Sequence, residues 1–289
     1  MSVDTMNRSL VVIVVLLTVS TSAFGAVFHP GSEPDSSWNV KPADGVIVRW
    51  SGNGSGVMVG RDGLPTSSYF ITTKHQGGSD RTKVYINNNP YTIISIETHD
   101  DADLRVVKIN AELPNFALLN TGTSESGEVV IGGYGRGRGD NKQTGGITWG
   151  YDWNDDENTN LRWGTNDIEI NGEDENFLIG DFDGEDDPGC TNYEAIPAEF
   201  DSGGGWFQET GGKWYVLAIT YDVEPHAGED KYAQFLDSDD PEIPDPDNFS
   251  GVRVSQYEDW IDQRIPEPAT LVLLGLGGMS MLARRRKRA

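Results

Sequence analysis

Hydrophobic residues in this chain of 289 residues fall in short β-prone runs divided by Gly, Asn and Asp. Runs over 45–50, 56–60, 69–73, 83–86, 92–97, 104–109, 128–132 and 213–220 predict strands, because β-branched and aromatic residues crowd between turn formers. Many short strands at close spacing predict an all-β sandwich or barrels. A single helix is predicted over 254–265, where Val254, Tyr257, Trp260 and Ile261 fall on one face at helical spacing. The stretches 152–160, 171–187 and 237–247 are rich in acids, Asn and Gly or Pro and predict solvated loops.

Both ends carry a different pattern. Arg8 precedes an apolar run over 10–19, and small residues follow at Ala23, Gly25 and Ala26. That order predicts a secretory signal peptide over 1–26, removed by signal peptidase. At the other end Pro266-Glu267-Pro268 leads into an apolar stretch over 269–283 and a basic tail over 284–288. A short apolar segment with a basic end is expected to stop in the membrane with the basic end in the cytoplasm. This three-part tail over 266–289 resembles the PEP-CTERM sorting signal of Gram-negative bacteria. The resemblance implies an exosortase-type partner and a protein exported to the cell envelope, the cell surface or the medium.

Charge narrows the partners. The formal net charge is −24, and it reaches about −29 once 1–26 and 269–289 are removed, since the first is neutral and the second carries five basic residues and no acid. A surface this acidic repels nucleic acid and anionic lipid, so no nucleic-acid partner is expected. Cys190 is the chain's one cysteine, which rules out an intramolecular disulfide and leaves cohesion to packing or bound cations. Asp181, Asp183, Glu185 and Asp187 are the best candidate calcium ligands, because oxygen donors on a flexible loop suit that ion. They do not match an EF-hand.

The candidate chemistry lies in three segments. Asp201-Ser202-Gly203-Gly204-Gly205 places a serine ahead of glycines that permit a tight turn and close approach of another backbone. A serine hydroxyl becomes a nucleophile only with a base to take its proton and donors to receive the oxyanion. Upstream, the run over 70–74 ends at His75, and Asp103 opens the run over 104–109. The order His, Asp, Ser, each beside a strand, is one of the known chain orders for a catalytic triad. Asp100 and Asp101 compete with Asp103, and His99 and His226 with His75, but none stands in the same relation to a strand.

These segments resemble the trypsin/chymotrypsin superfamily over most of residues 45–265. Thr72-Thr73-Lys74-His75, the Asp103 segment and Asp201-Ser202-Gly203-Gly204 resemble its three motifs, and Gly132-Gly133-Tyr134-Gly135 resembles the strand that opens its second barrel. The resemblance implies two packed six-stranded Greek-key β-barrels (about 27–125 and 126–253) and a closing helix over 254–265, within a protease domain over 27–265. It implies a serine endopeptidase acting on protein or peptide substrates without a required cofactor, with His75, Asp103 and Ser202 as the triad. The oxyanion hole would be the backbone N–H groups of Phe200 and Ser202, and the substrate pocket would involve Ile196, Thr220, Tyr221 and Asp222. Phe200 stands where the family has glycine, and such a residue is expected to hold the oxyanion turn inactive until substrate binds. The alternative is therefore a catalytically impaired module of the same fold that binds matrix protein or polysaccharide. Activation in the family pairs a freed N-terminus with the aspartate before the serine, here Asp201; cleavage after Ala26 would give Val27 that role.

Overall fold

The computed structural model describes residues 26–50, 54–79, 82–154, 160–169, 174–223, 231–237, 243 and 246–265. Residues 1–25 of the signal segment, the apolar tail and His226 lie outside the described residues.

Strands Ile47–Trp50 (β1), Gly54–Gly60 (β2), Ser67–Thr72 (β3), Lys83–Ile86 (β4), Asn89–Thr98 (β5) and Arg105–Leu113 (β6) close into a six-stranded barrel. β1 pairs β2 and β4, β2 pairs β3, β3 pairs β6, and β5 pairs both β6 and β4. Closure removes unpaired edges, and β2 is buried along its whole length because it is covered on both faces, by the barrel interior and by a second set of strands. Alternation of side chains then serves two cores at once. Met58, Phe70 and Val107 pack in a cluster with Trp50 and Ile109, while Val57, Val59, Ile71 and Val106 join a second cluster.

A second set comprises Gly127–Gly133 (β7), Arg162–Ile168 (β8), Phe177–Asp181 (β9), Gly205–Thr210 (β10), Lys213–Val223 (β11) and Asn248–Arg253 (β12). Antiparallel pairing runs β8–β7–β10–β11–β12–β9. A lone antiparallel bridge, Glu169 to Ile179, connects the ends of that series. The short strand Ala117–Leu119 pairs in parallel with both β2 and β11 and so ties the two sets together. Between them lies the cluster that holds Val57, Ile71, Val130, Phe207 and Val216.

All eight predicted strands are present, several of them longer than their apolar runs. β9 is a correction: it lies within a stretch whose acids and glycines predict a loop. Its main chain pairs register by register with β12, and Leu178 is buried, so a partner strand overrides a polar local composition. The predicted helix is shorter too. Val254–Gln256 is a 3₁₀ turn, and only Glu258–Asp262 (α1) is α-helical. Its apolar face is as expected, with Val254, Ile261 and Ile265 buried against the central cluster.

Candidate active site

The barrel supplies two of the three expected residues. β3 ends at Thr72 and His75 follows; Asp103 stands two residues before β6. Because β3 and β6 are paired, with Thr72 opposite Arg105, their ends bring His75 and Asp103 together. Asp103 Oδ1 accepts the His75 backbone N–H at 2.8 Å, and Oδ2 lies 2.5 Å from His75 Nδ1. Ser202 comes from the turn before β10, and its Oγ is 2.9 Å from His75 Nε2. The serine and histidine are 127 residues apart in sequence. Burial pushes the Asp103 carboxyl up, but hydrogen bonds and charge from His75, with the Lys74 backbone N–H, outweigh it and hold the group below its usual range. Asp103 is therefore an anion suited to accept from Nδ1–H, an arrangement that turns Nε2 toward the serine hydroxyl.

The turn before Ser202 is built to an unusual conformation. Phe200 has φ +79°, in the left-handed region that costs an L residue about 1–2 kcal/mol. Three contacts hold it there. Asp201 N–H donates to Ala198 O at 3.0 Å, Ser55 Oγ donates to Phe200 O at 3.0 Å, and the Arg136 guanidinium lies 5.4 Å from the Phe200 ring centre. Arg136 is itself fixed by Glu199 at 2.6 Å. Among the described residues no protein acceptor takes the backbone N–H of Phe200 or of Ser202. Two unengaged donors beside a hydroxyl are what an oxyanion site requires.

Asp201 points away from this surface into the interior. Its Oδ1 accepts Gly135 N–H at 2.6 Å and its Oδ2 accepts Ala198 N–H at 2.9 Å. Burial pushes its pKa up to about 6, against those two bonds, the charge of Arg162 and a hydrogen bond from the Ala26 backbone. A Cβ on Gly135 would stand 2.0 Å from Oδ2, so only glycine fits there. The nitrogen that reaches Asp201 thus belongs to Ala26. Val27, the residue expected in that role, pairs instead with Ile196.

The expected pocket residues are divided. Ile196 is fully buried beside Val27 in a separate core cluster with Ile131, Trp206 and Phe249 and presents nothing to an open pocket, which corrects its assignment. Thr220 is buried: its Oγ1 accepts Trp206 Nε1–H at 3.0 Å and its carbonyl accepts Gly203 N–H at 2.8 Å. Tyr221 packs edge-on to His75 with ring centres 5.9 Å apart, and Asp222 is exposed beyond it.

His99, a rival of His75 in the sequence, has a structural task. Its Nδ1 accepts the backbone N–H groups of Asp101 at 3.2 Å and Ala102 at 2.9 Å, closing the loop that delivers Asp103. Trp260 and Tyr257 enclose the ring. Lys74 reaches the carbonyls of His99 and Asp100 at 3.5 and 3.4 Å. Ser55 and Gln76 have no motif to mark them. Ser55 is a buried serine between glycines, and only that smallness in an otherwise apolar strand hints at a close backbone approach.

The acidic stretch does not assemble as expected for a cation. Among the described residues no three His, Cys, Asp or Glu side chains are placed to hold a metal ion together. Asp187 Oδ2 instead accepts Gly184 N–H at 2.8 Å within its own turn. Burial, with the charges of Asp181 and Asp187, pushes Asp183 up to about 6, and Glu185 faces the same neighbourhood. Burial and four nearby acids push the Cys190 thiol up to about 12, so it is no competing nucleophile.

Comparison with protein families finds one match: the PEP-CTERM protein-sorting motif, at residues 264–287. A comparison with curated proteins finds no match. The motif marks the chain for export and for sorting at the envelope of a Gram-negative bacterium by an exosortase-type enzyme. Among the described residues no helix is long and apolar enough to cross a membrane; the expected spanning segment, 269–283, lies outside them.

Proposed function

We propose that the protein is an exported serine endopeptidase of the trypsin-like type, with β1–β6 and β7–β12 as its two Greek-key barrels and the catalytic groups at their junction. One observation carries this reading: Asp103, His75 and Ser202, from three distant segments, form an unbroken relay beside two unengaged backbone donors. In this mechanism Ser202 Oγ attacks the scissile carbonyl while His75 Nε2 takes its proton. Asp103 keeps Nδ1–H oriented and stabilises the imidazolium, and the N–H groups of Phe200 and Ser202 receive the oxyanion. His75 returns the proton to the departing amine as the C–N bond breaks. Water, deprotonated by the same ring, then releases the acid from the acyl-serine. The segment Thr220-Tyr221-Asp222 would pair with the substrate backbone next to His75. The relay itself uses no cofactor.

Removal of 1–25 by signal peptidase, one residue short of the expected cut, and sorting through the tail would place this activity at the envelope, the surface or outside the cell. The test is labelling of residues 26–265 with a fluorophosphonate probe, with calcium supplied, beside Ser202→Ala and His75→Ala. The parent should label, and each variant should lose at least about 10⁴-fold in rate. An unlabelled parent that is folded would overturn the protease reading in favour of the binding module of matrix protein or polysaccharide.

A further inference from the structure

We infer that Gln76 is a positioning residue for Ser202, joining the nucleophile's carbonyl to the segment that carries His75; this rests on the reading of Ser202 as the nucleophile. Gln76 follows His75 directly and is buried, with 6% of its surface exposed. Its Nε2 donates to Ser202 O and lies 3.0 Å from Ser55 O, 2.8 Å from Thr72 Oγ1 and 2.9 Å from Thr73 Oγ1. The two carbonyls carry no hydrogen to donate, so they must face the amide NH₂ rather than its oxygen, which settles the orientation of the side chain.

The target is the peptide unit between Ser202 and Gly203. Ser55 N–H also donates to Ser202 O, at 2.8 Å, and the N–H end of the same unit donates to Thr220 O at 2.8 Å. The unit is therefore gripped from the barrel on one side and from β11 on the other. Gly203, at φ +79°, allows this close approach: a Cβ there would stand 2.4 Å from Gln76 Nε2 and 2.4 Å from Ser55 O. Thr72 Oγ1 donates to Ser55 O at 2.7 Å and so has its lone pairs left to accept from the amide. One side chain thus spans the base and the nucleophile. Rotation of the 202–203 peptide, which would swing Ser202 Oγ away from His75 Nε2, breaks its bond to the carbonyl.

A residue that only filled space would affect stability and leave the chemistry of the folded molecules intact. The experiment compares the parent with Gln76→Met, which keeps length but has no donor, and Gln76→Glu, which regains a donor when its acid is protonated. Three quantities are read: the fluorophosphonate labelling rate per folded molecule, its pH profile, and amide hydrogen exchange at Ser55. Gln76→Met is expected to label about ten- to one-hundred-fold more slowly, with the Ser55 amide exchanging at least about ten-fold faster. The labelling rate of Gln76→Glu relative to the parent is expected to climb as the pH falls through the introduced acid's pKa. Labelling at the parental rate in Gln76→Met, or a ratio for Gln76→Glu that does not change with pH, overturns the inference. If the parent does not label at all, the protease reading fails, and exchange at Ser55 still decides whether Gln76 grips Ser202 O. Unchanged exchange in Gln76→Met then overturns the inference as well.

Discussion

The nitrogen of Ala26 beside a buried carboxylate makes the start of the mature chain a measurable quantity. Asp201 is 4% exposed, and its pKa stands at about 6 rather than the ordinary 3.8. At neutral pH the raised value therefore costs the fold about 3 kcal/mol relative to a carboxyl that kept its ordinary pKa. While Ala26 lies within a longer chain, its backbone N–H offers only a neutral donor. Cleavage between Gly25 and Ala26, with small residues at Ala23 and Gly25, would turn that donor into an ammonium already at the carboxylate. An ammonium there should return most of the 3 kcal/mol. With a slope of about 2–3 kcal/mol per molar urea for a domain of this size, the midpoint should rise by roughly 1 M.

The assay is urea unfolding of a chain beginning at Ala26 beside one beginning at Gly25, from pH 4 to pH 10. In the longer chain the raised pKa of Asp201 makes stability greatest below pH 3.8 and diminishes it as the pH rises through about 6. In the shorter chain the α-amino pKa is raised by its partner. The gain is then fully present below the ordinary α-amino value of about 7.7–8.0 and is lost as the pH rises through the higher folded value. The two midpoints should separate between pH 4 and pH 6 and converge again in alkali. Equal midpoints at pH 7, or a gap that persists unchanged at pH 10, would refute the ion pair.

Three further outcomes follow from the geometry. Phe200→Gly should stabilise by no more than about 1 kcal/mol, since relief of the left-handed φ is offset by loss of the Arg136 contact; a gain in probe labelling above ten-fold would mean that the phenylalanine obstructs the oxyanion site. His99→Asn, whose Oδ1 can replace Nδ1 as acceptor for the N–H groups of Asp101 and Ala102, should retain most labelling, whereas His99→Ala should lose about ten-fold or more; equal labelling by the two variants would refute a role for that acceptor. Burial drives Glu194 up to about 8, with Thr191 bonds opposing, so thermal stability should fall as the pH rises from about 4.5 through 8. Glu194→Gln should flatten that slope in a melting series, and an unaltered slope would assign it to other groups.

By itself the sequence determined the class of fold, the places of eight strands and the apolar face of the closing helix. Those features depend on local periodicity, which neighbouring residues such as Val57, Met58 and Val59 encode directly. It also named His75, Asp103 and Ser202, because each stands beside a strand in a recognisable order. Only the tertiary structure decided that they meet. A contact across 127 residues exists because paired strand ends and a shared hydrophobic cluster hold the two sets in register. The same packing buries Ile196, recruits β9 from a polar stretch and assigns Ala26 rather than Val27 to Asp201. Phe200 is the sharpest case. Its own propensity opposes a positive φ, and the hydrogen bonds of Ser55 and Asp201 with the Arg136 contact impose one. No motif marked Gln76 or Ser55 for a related reason: the contacts that tie them to the nucleophile's turn are to the main chain, at Ser202 O and Phe200 O, which every residue possesses and no motif records.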